Sequence, residues 1–201
     1  MARDTKTYQN YLDRYQRLAG VDTLSDDEKE FALQFFNRNL RFIYRAYDWP
    51  FTCKVEQRTP DAAYQIDWAQ AGETVMGEVL ECWKDDPFGN VTPRALPYNL
   101  TGDGIQLYAA GSPDPTYVWF RPRLVECTGD VAYTIDYDFF EYVAHASYAD
   151  WLASNEQTAN SAFQRGIAEQ ILTDEIEQWS RQQRSQSLRG NTRTHGTEQT
   201  R

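Results

Sequence analysis

The chain has 201 residues and sets 30 acidic side chains against 20 Lys and Arg, a net charge of −10. That length suits one domain, or one domain with a sizeable insertion, and buries enough surface to fold without a metal or disulfide staple. A body this acidic lacks the clustered cations that grip nucleic-acid phosphates, and no apolar run is long enough to span a membrane.

The N-terminal "MARDTKTYQNYLDRY" has no apolar segment of the kind a secretory leader needs. Residues 5–18 place Tyr8, Leu12, Tyr15 and Leu18 near one helical face, with Gly20 closing the segment. "SDDEKEFALQFFNRNLRFIYRAYDWP" follows, with Ser25 and Glu28 at capping-box spacing and acids in the first turn. Phe31, Phe35, Phe36, Leu40, Ile43, Tyr44 and Tyr47 recur at helical intervals until Pro50 stops them. Residues 1–50 are therefore expected to supply the first helices of a helical core.

Residues 51–138 change character and hold every proline except Pro50. "FTCKVEQ", "TVMGEVLECW", "GIQLYA" and "TYVWFRP" alternate as strands do, separated by turn chemistry in "DDPFGN", "NLTGDG" and "GSPDP". "VAYTIDYDF" alternates most clearly, with Val131, Tyr133, Ile135, Tyr137 and Phe139 on one face. This region reads as an inserted antiparallel β region.

Helical spacing returns over 139–184. Phe140, Val143, Ala144, Ser147, Tyr148, Trp151 and Leu152 form one stripe, and Phe163, Ile167, Ile171, Leu172, Ile176 and Trp179 form another. A continuous helix over 158–184 would be about 40 Å long. Beyond it, residues 185–201 offer a single apolar side chain, Leu188, and are expected to form an extended arm that orders only on a partner. Residues 181–201 carry five Arg and one acid, so a tail of +4 follows a body of −14. The fold class is α+β: a helical bundle core built from both chain ends, a β insertion, and a C-terminal arm.

Few residues suggest chemistry. Cys53, Cys82 and Cys127 are an odd number without C-x-x-C spacing, which favours reduced thiols over a disulfide framework or a zinc site. His145, Ser147 and Asp150 could be forced into a triad, but positions 145 and 147 point apart on a helix and no nucleophile elbow exists. "WKDDPFGN" lacks the spacing of a calcium loop, and no phosphate-binding glycine motif occurs. Trp83, Tyr117 and Trp119 could stack on a sugar, although packing into the sheet's core or a subunit seam is the simpler expectation. Neither an enzyme nor a cofactor or metal site is expected.

The helix around "FFNRNLRFIYRAYDWP", the pair in "YVAHASYADWLASNEQTANSAFQRGIAEQILTDEIEQWSRQQ" and the basic tail behind them resemble the head-to-tail adaptor, or connector, proteins of tailed bacteriophages. The resemblance covers the order of elements along the chain and includes no catalytic signature. It implies a structural virion protein of the neck, assembled in the host cytoplasm. Such a protein forms a ring, dodecameric in the family, between the portal protein and a tail or nozzle protein. It implies a portal-binding arm carrying Trp179, Arg181, Arg184, Leu188, Arg189, Arg193 and Arg201. It also implies a lumen that passes double-stranded DNA without specific binding, for which Glu169, Asp174, Glu175 and Glu177 are candidate lining acids. Other neck components, a head-closure stopper or a tail-completion protein, are the nearest alternatives. A carbohydrate-binding β module stands further off.

Overall fold

The computed structural model describes residues 4–89, 93–108 and 114–191, with side chains up to 182. Two compact units emerge: a helical one from Met1–Tyr47 with Glu126–Arg201, and an inserted one, Asp48–Val125. The helical core is thus closed by both ends of the chain.

In the helical unit a short strand, β1 (Thr5–Thr7), leads into α1 (Tyr8–Ala19). Thr7 caps that helix: its hydroxyl accepts the Asn10 amide at 3.2 Å while the Asn10 side chain accepts the Thr7 amide at 3.1 Å. Gly20 ends it at φ 69°, the left-handed conformation that an L side chain resists. The expected capping box of α2 (Asp26–Ala46) is present, with Ser25 Oγ accepting the Glu28 amide and Glu28 accepting the Ser25 amide. Tyr8, Tyr11, Tyr15 and Phe36 form one aromatic core between α1 and α2. α3 (Tyr137–Ser154) is the central helix and buries residues around most of its circumference, from Phe139 to Leu152. A tight turn with Glu156 at φ 60° reverses the chain into α4 (Thr158–Asn191).

"VAYTIDYDF" is not one strand. Only Thr134–Asp136 (β8) is extended, and it pairs antiparallel with β1, Lys6 opposite Ile135. Asp136 then caps α3 by accepting the Asp138 amide, so Tyr137 and Phe139 lie in a helix. Period-two alternation near the end of the run coincides with the start of a helical stripe, and the cap decides between them. Because β8 pairs with the N-terminal strand, the insertion ends at Val125 rather than at 138.

The inserted unit holds two three-stranded antiparallel sheets. One has the order β2 (Lys54–Arg58), β7 (Thr116–Pro122), β4 (Met76–Trp83); the other has β3 (Gln65–Asp67), β6 (Gly104–Leu107), β5 (Tyr98–Leu100). Its core is Ile66, Met76, Val79, Cys82, Ile105, Leu107, Val118 and Phe120. Arg58 is fully buried beneath it, ion-paired to Glu56 and Glu73, bonded to the Thr74 carbonyl and lying 5.2 Å over the Phe120 ring.

Gly104 begins β6 where β3 crosses closest. A Cβ there would overlap the Ile66 carbonyl oxygen and come within 2.8 Å of Asp67 Cα, both backbone atoms that cannot swing aside. Gly104→Ala is expected to destabilise the inserted unit by about 3 kcal/mol through forced separation of β3 and β6. Chemical denaturation followed by tryptophan fluorescence, with Trp68 packed on that core, checks it.

Candidate functional site

The candidate site is α4 and the polar clamp that holds it. Its 34 residues give a rod about 50 Å long. Only Ala168 is fully buried along its described side chains, while Ile167, Ile171, Leu172 and Ile176 are half-buried. Apolar contact alone therefore holds α4 lightly, and specific polar bonds supplement it.

Near the turn, Ser161 Oγ donates to the Ala149 carbonyl at 2.8 Å, and Gln164 meets His145 Nδ1 at 2.9 Å. Next comes the centre of the clamp. Asp150, buried on α3, forms a close ion pair with Arg165 of α4 and accepts from Asn39 of α2 at 2.8 Å. Arg38 approaches the same carboxylate at 3.5 Å, and Asn39 also donates to the Phe35 carbonyl at 2.9 Å. Three helices thus meet on one carboxylate. Further along, Trp179 Nε1 donates to Asp138 Oδ2 at 3.1 Å and Ser180 Oγ lies 3.4 Å from the Tyr47 hydroxyl.

Trp179 is therefore an anchor of the helical unit, whereas Arg181 is exposed and pairs with Glu177 at 2.7 Å. The helix does not end at Arg184. It continues to Asn191, taking in the backbone of Arg184, Leu188 and Arg189, whose side chains are outside the described set. "SQSLR" contains no breaker before Gly190, and a helix already nucleated propagates at one bond per residue. Arg193 and Arg201 lie outside the described residues. Of the acids considered as lumen residues, Glu169, Asp174 and Glu177 are exposed and Glu175 is half-buried. Asp174 accepts from Gln170 at 2.7 Å.

The other constellations resolve differently. His145 bonds toward Arg14 and Gln164, whereas Ser147 and Asp150 both accept from Asn39, so the histidine of the forced triad bonds to neither of the other two. Asp86 of "WKDDPFGN" accepts the Phe88 amide at 2.9 Å as a turn residue. Among the described residues no group of three or more His, Cys, Asp and Glu could hold a metal ion, and no helix is long and apolar enough to cross a membrane. Burial pushes the Cys82 thiol up to about 12, with the Glu81 carboxylate adding to the shift.

Of the two simpler expectations for Trp83 and Trp119, packing into the sheet's core is not met: both lie outside the core of the inserted unit. They stack on each other at 6.0 Å and 14°. They lie on the strand face opposite Cys82 and Val118.

The interhelical clamp was missed at the level of the sequence, although a signal existed. Asn39 and Asp150 are polar residues at the core phase of apolar helices, Asn39 between Phe36 and Ile43 and Asp150 in step with Val143. A polar group placed so requires a partner. Compared with known proteins, the chain matches no family model and no curated protein.

Proposed function

We propose that the chain is a structural neck protein, a head-to-tail adaptor that joins a phage portal to its tail and leaves a passage for double-stranded DNA. The observation that carries the reading is α4. Its first half is clamped to the body through Asp150 and Arg165, its Trp179 is tied to Asp138, and the helix then runs on to Asn191 toward an arginine-rich end. Such an element suits docking into another protein. It offers length and positive charge. Several copies in a ring would convert modest affinity per arm into lasting attachment by avidity. The body's −14 would keep transiting DNA from adhering, since no phosphate contacts need breaking. The partners are the portal protein on the arm side and a tail or nozzle protein opposite.

The test is deletion of 185–201. The shortened chain keeps every clamp contact, so it is expected to fold with unchanged thermal stability and to lose its attachment to assembled portal rings in co-sedimentation. Full attachment by the shortened chain sinks the reading.

The stacked Trp83 and Trp119 favour a second reading, a carbohydrate-binding β module, because two half-buried indoles lying outside the core of the inserted unit leave aromatic surface for a sugar ring to stack on. Glycan binding abolished by Trp83→Ala or Trp119→Ala would support that reading over the first.

A further inference from the structure

The solvent face of α2 is polarised along its length. Its first turns expose Asp26, Asp27 and Glu30, and its last turns expose Arg38, Arg41 and Arg45. Between and among these charges two phenylalanines are left in water: Phe31 is 53% exposed and Phe42 58%. At about 100° per residue, Phe31 and Phe42 fall within roughly 20° of each other around the helix and about 16 Å apart along it. Asp27 and Arg45 share a second bearing on one flank of that line, and Glu30 and Arg41 share a third further round. Phe31 stacks on Phe35 and Phe42 on Tyr142, so both rings are held in place. Beside Phe42 lies a groove of about 640 Å³, lined by Arg38, Arg41, Arg45, Tyr142 and Leu172 among others. Asp27, Glu30 and Arg45 have no ion-pair partner among the described residues, while Arg41 holds Glu126 only at 3.4 Å across exposed side chains.

We propose that this face docks a second copy of the chain, as an antiparallel pair of α2 helices related by a two-fold axis. A two-fold normal to the two helices keeps each side chain on its own flank. It therefore sets Asp27 against the partner copy's arginine at 45, and Glu30 against that at 41, along one flank and at both ends of the contact. Phe31 of each copy enters the groove beside the other copy's Phe42. An isologous contact needs a self-complementary patch; here one helix face carries both halves, with opposite charges at matching bearings. Burying four exposed rings supplies the apolar core of the contact, and the charge pairs at its edge fix its register. The pairing concerns the free chain and stands independently of the neck reading.

The test uses the full-length chain and two charge swaps, Asp27→Arg with Glu30→Arg, and Arg41→Glu with Arg45→Glu. The unaltered chain is expected to sediment as a dimer at micromolar concentration. Each swap alone sets like charges together and should sediment as a monomer with unchanged circular dichroism. Mixing the two swapped proteins restores opposite charges at every pair and should restore the dimer. Phe42→Ser, which changes no charge, should also give a monomer and keeps the test decisive if a swapped chain loses its helical signal. A monomeric unaltered chain, a larger ring that survives both swaps, or a mixture that stays monomeric overturns the proposal. Portal attachment is read separately, so a failed pairing leaves the arm experiment untouched.

Discussion

Asp150→Ala is expected to destabilise the helical unit by about 3 kcal/mol, more than removal of any exposed ion pair on the same helices. The side chain is 8% exposed and binds Arg165, Asn39 and Arg38, so its loss strands donors from two other helices, α2 and α4. Removing one partner of a buried pair costs about 3–5 kcal/mol, because the remaining charge stays desolvated. The lower end applies, since Arg165 is part-exposed and keeps a contact with Asn39 Oδ1 at 3.4 Å. In a chain of this size the loss lowers the melting temperature by roughly 6–12 °C. Asp150→Asn, which keeps an acceptor, should lose less. Asp150→Leu combined with Arg165→Met should recover part of the loss, because nothing charged is then left buried. Thermal melts of the four proteins decide it. Equal destabilisation by Asp150→Ala and by Arg181→Ala, an exposed i,i+4 pair worth about 0.3–0.5 kcal/mol, would show that the clamp does not hold α4.

The clamp also shows which features could be read before folding. Local signals carried well: Ser25 with Glu28 and Gly20 each act within a few residues, and each is realised. Stripes carried less well. Phe31 has helical spacing with Phe35 but faces solvent, because spacing fixes which residues share a face and not which face meets the core. Phe163, counted into the stripe of α4, is likewise exposed. Strands β1, β3 and β5 have three residues each, too few for alternation to register, and their existence depends on partners far along the chain. The Asp150–Arg165–Asn39 meeting is of the same kind. Polar residues out of phase announce that a partner exists, but only the packing of α2, α3 and α4 says which one.

Alkali should unfold the helical unit through its buried tyrosines. Burial raises the pKa of Tyr8, Tyr11, Tyr15, Tyr133 and Tyr142, that of Tyr133 to about 12. In the unfolded chain these groups ionise near pH 10. Above that pH the native state therefore binds more protons, and stability falls as pH rises. Each fully shifted tyrosine contributes about 1.4 kcal/mol per pH unit. Together they outrun a typical margin of roughly 5–15 kcal/mol within one to three pH units above 10, with the Tyr133 contribution levelling off at about 12 and that of Tyr142 sooner. Below pH 10 all five contributions are fully present. Phenolate absorbance and helical circular dichroism should accordingly change together, in one cooperative step.

Tyr15 makes the sharpest control. Its hydroxyl is buried without a hydrogen-bond partner among the described residues, so it contributes desolvation cost and no compensating bond. Tyr15→Phe should raise stability by about 1 kcal/mol at neutral pH. At pH 11 the gain should grow by a further ~1.4 kcal/mol, because one group that releases its proton on unfolding has been removed. Denaturant curves at the two pH values measure both. A gain that is the same at each pH would mean that Tyr15 already ionises in the native state, and that its hydroxyl reaches water.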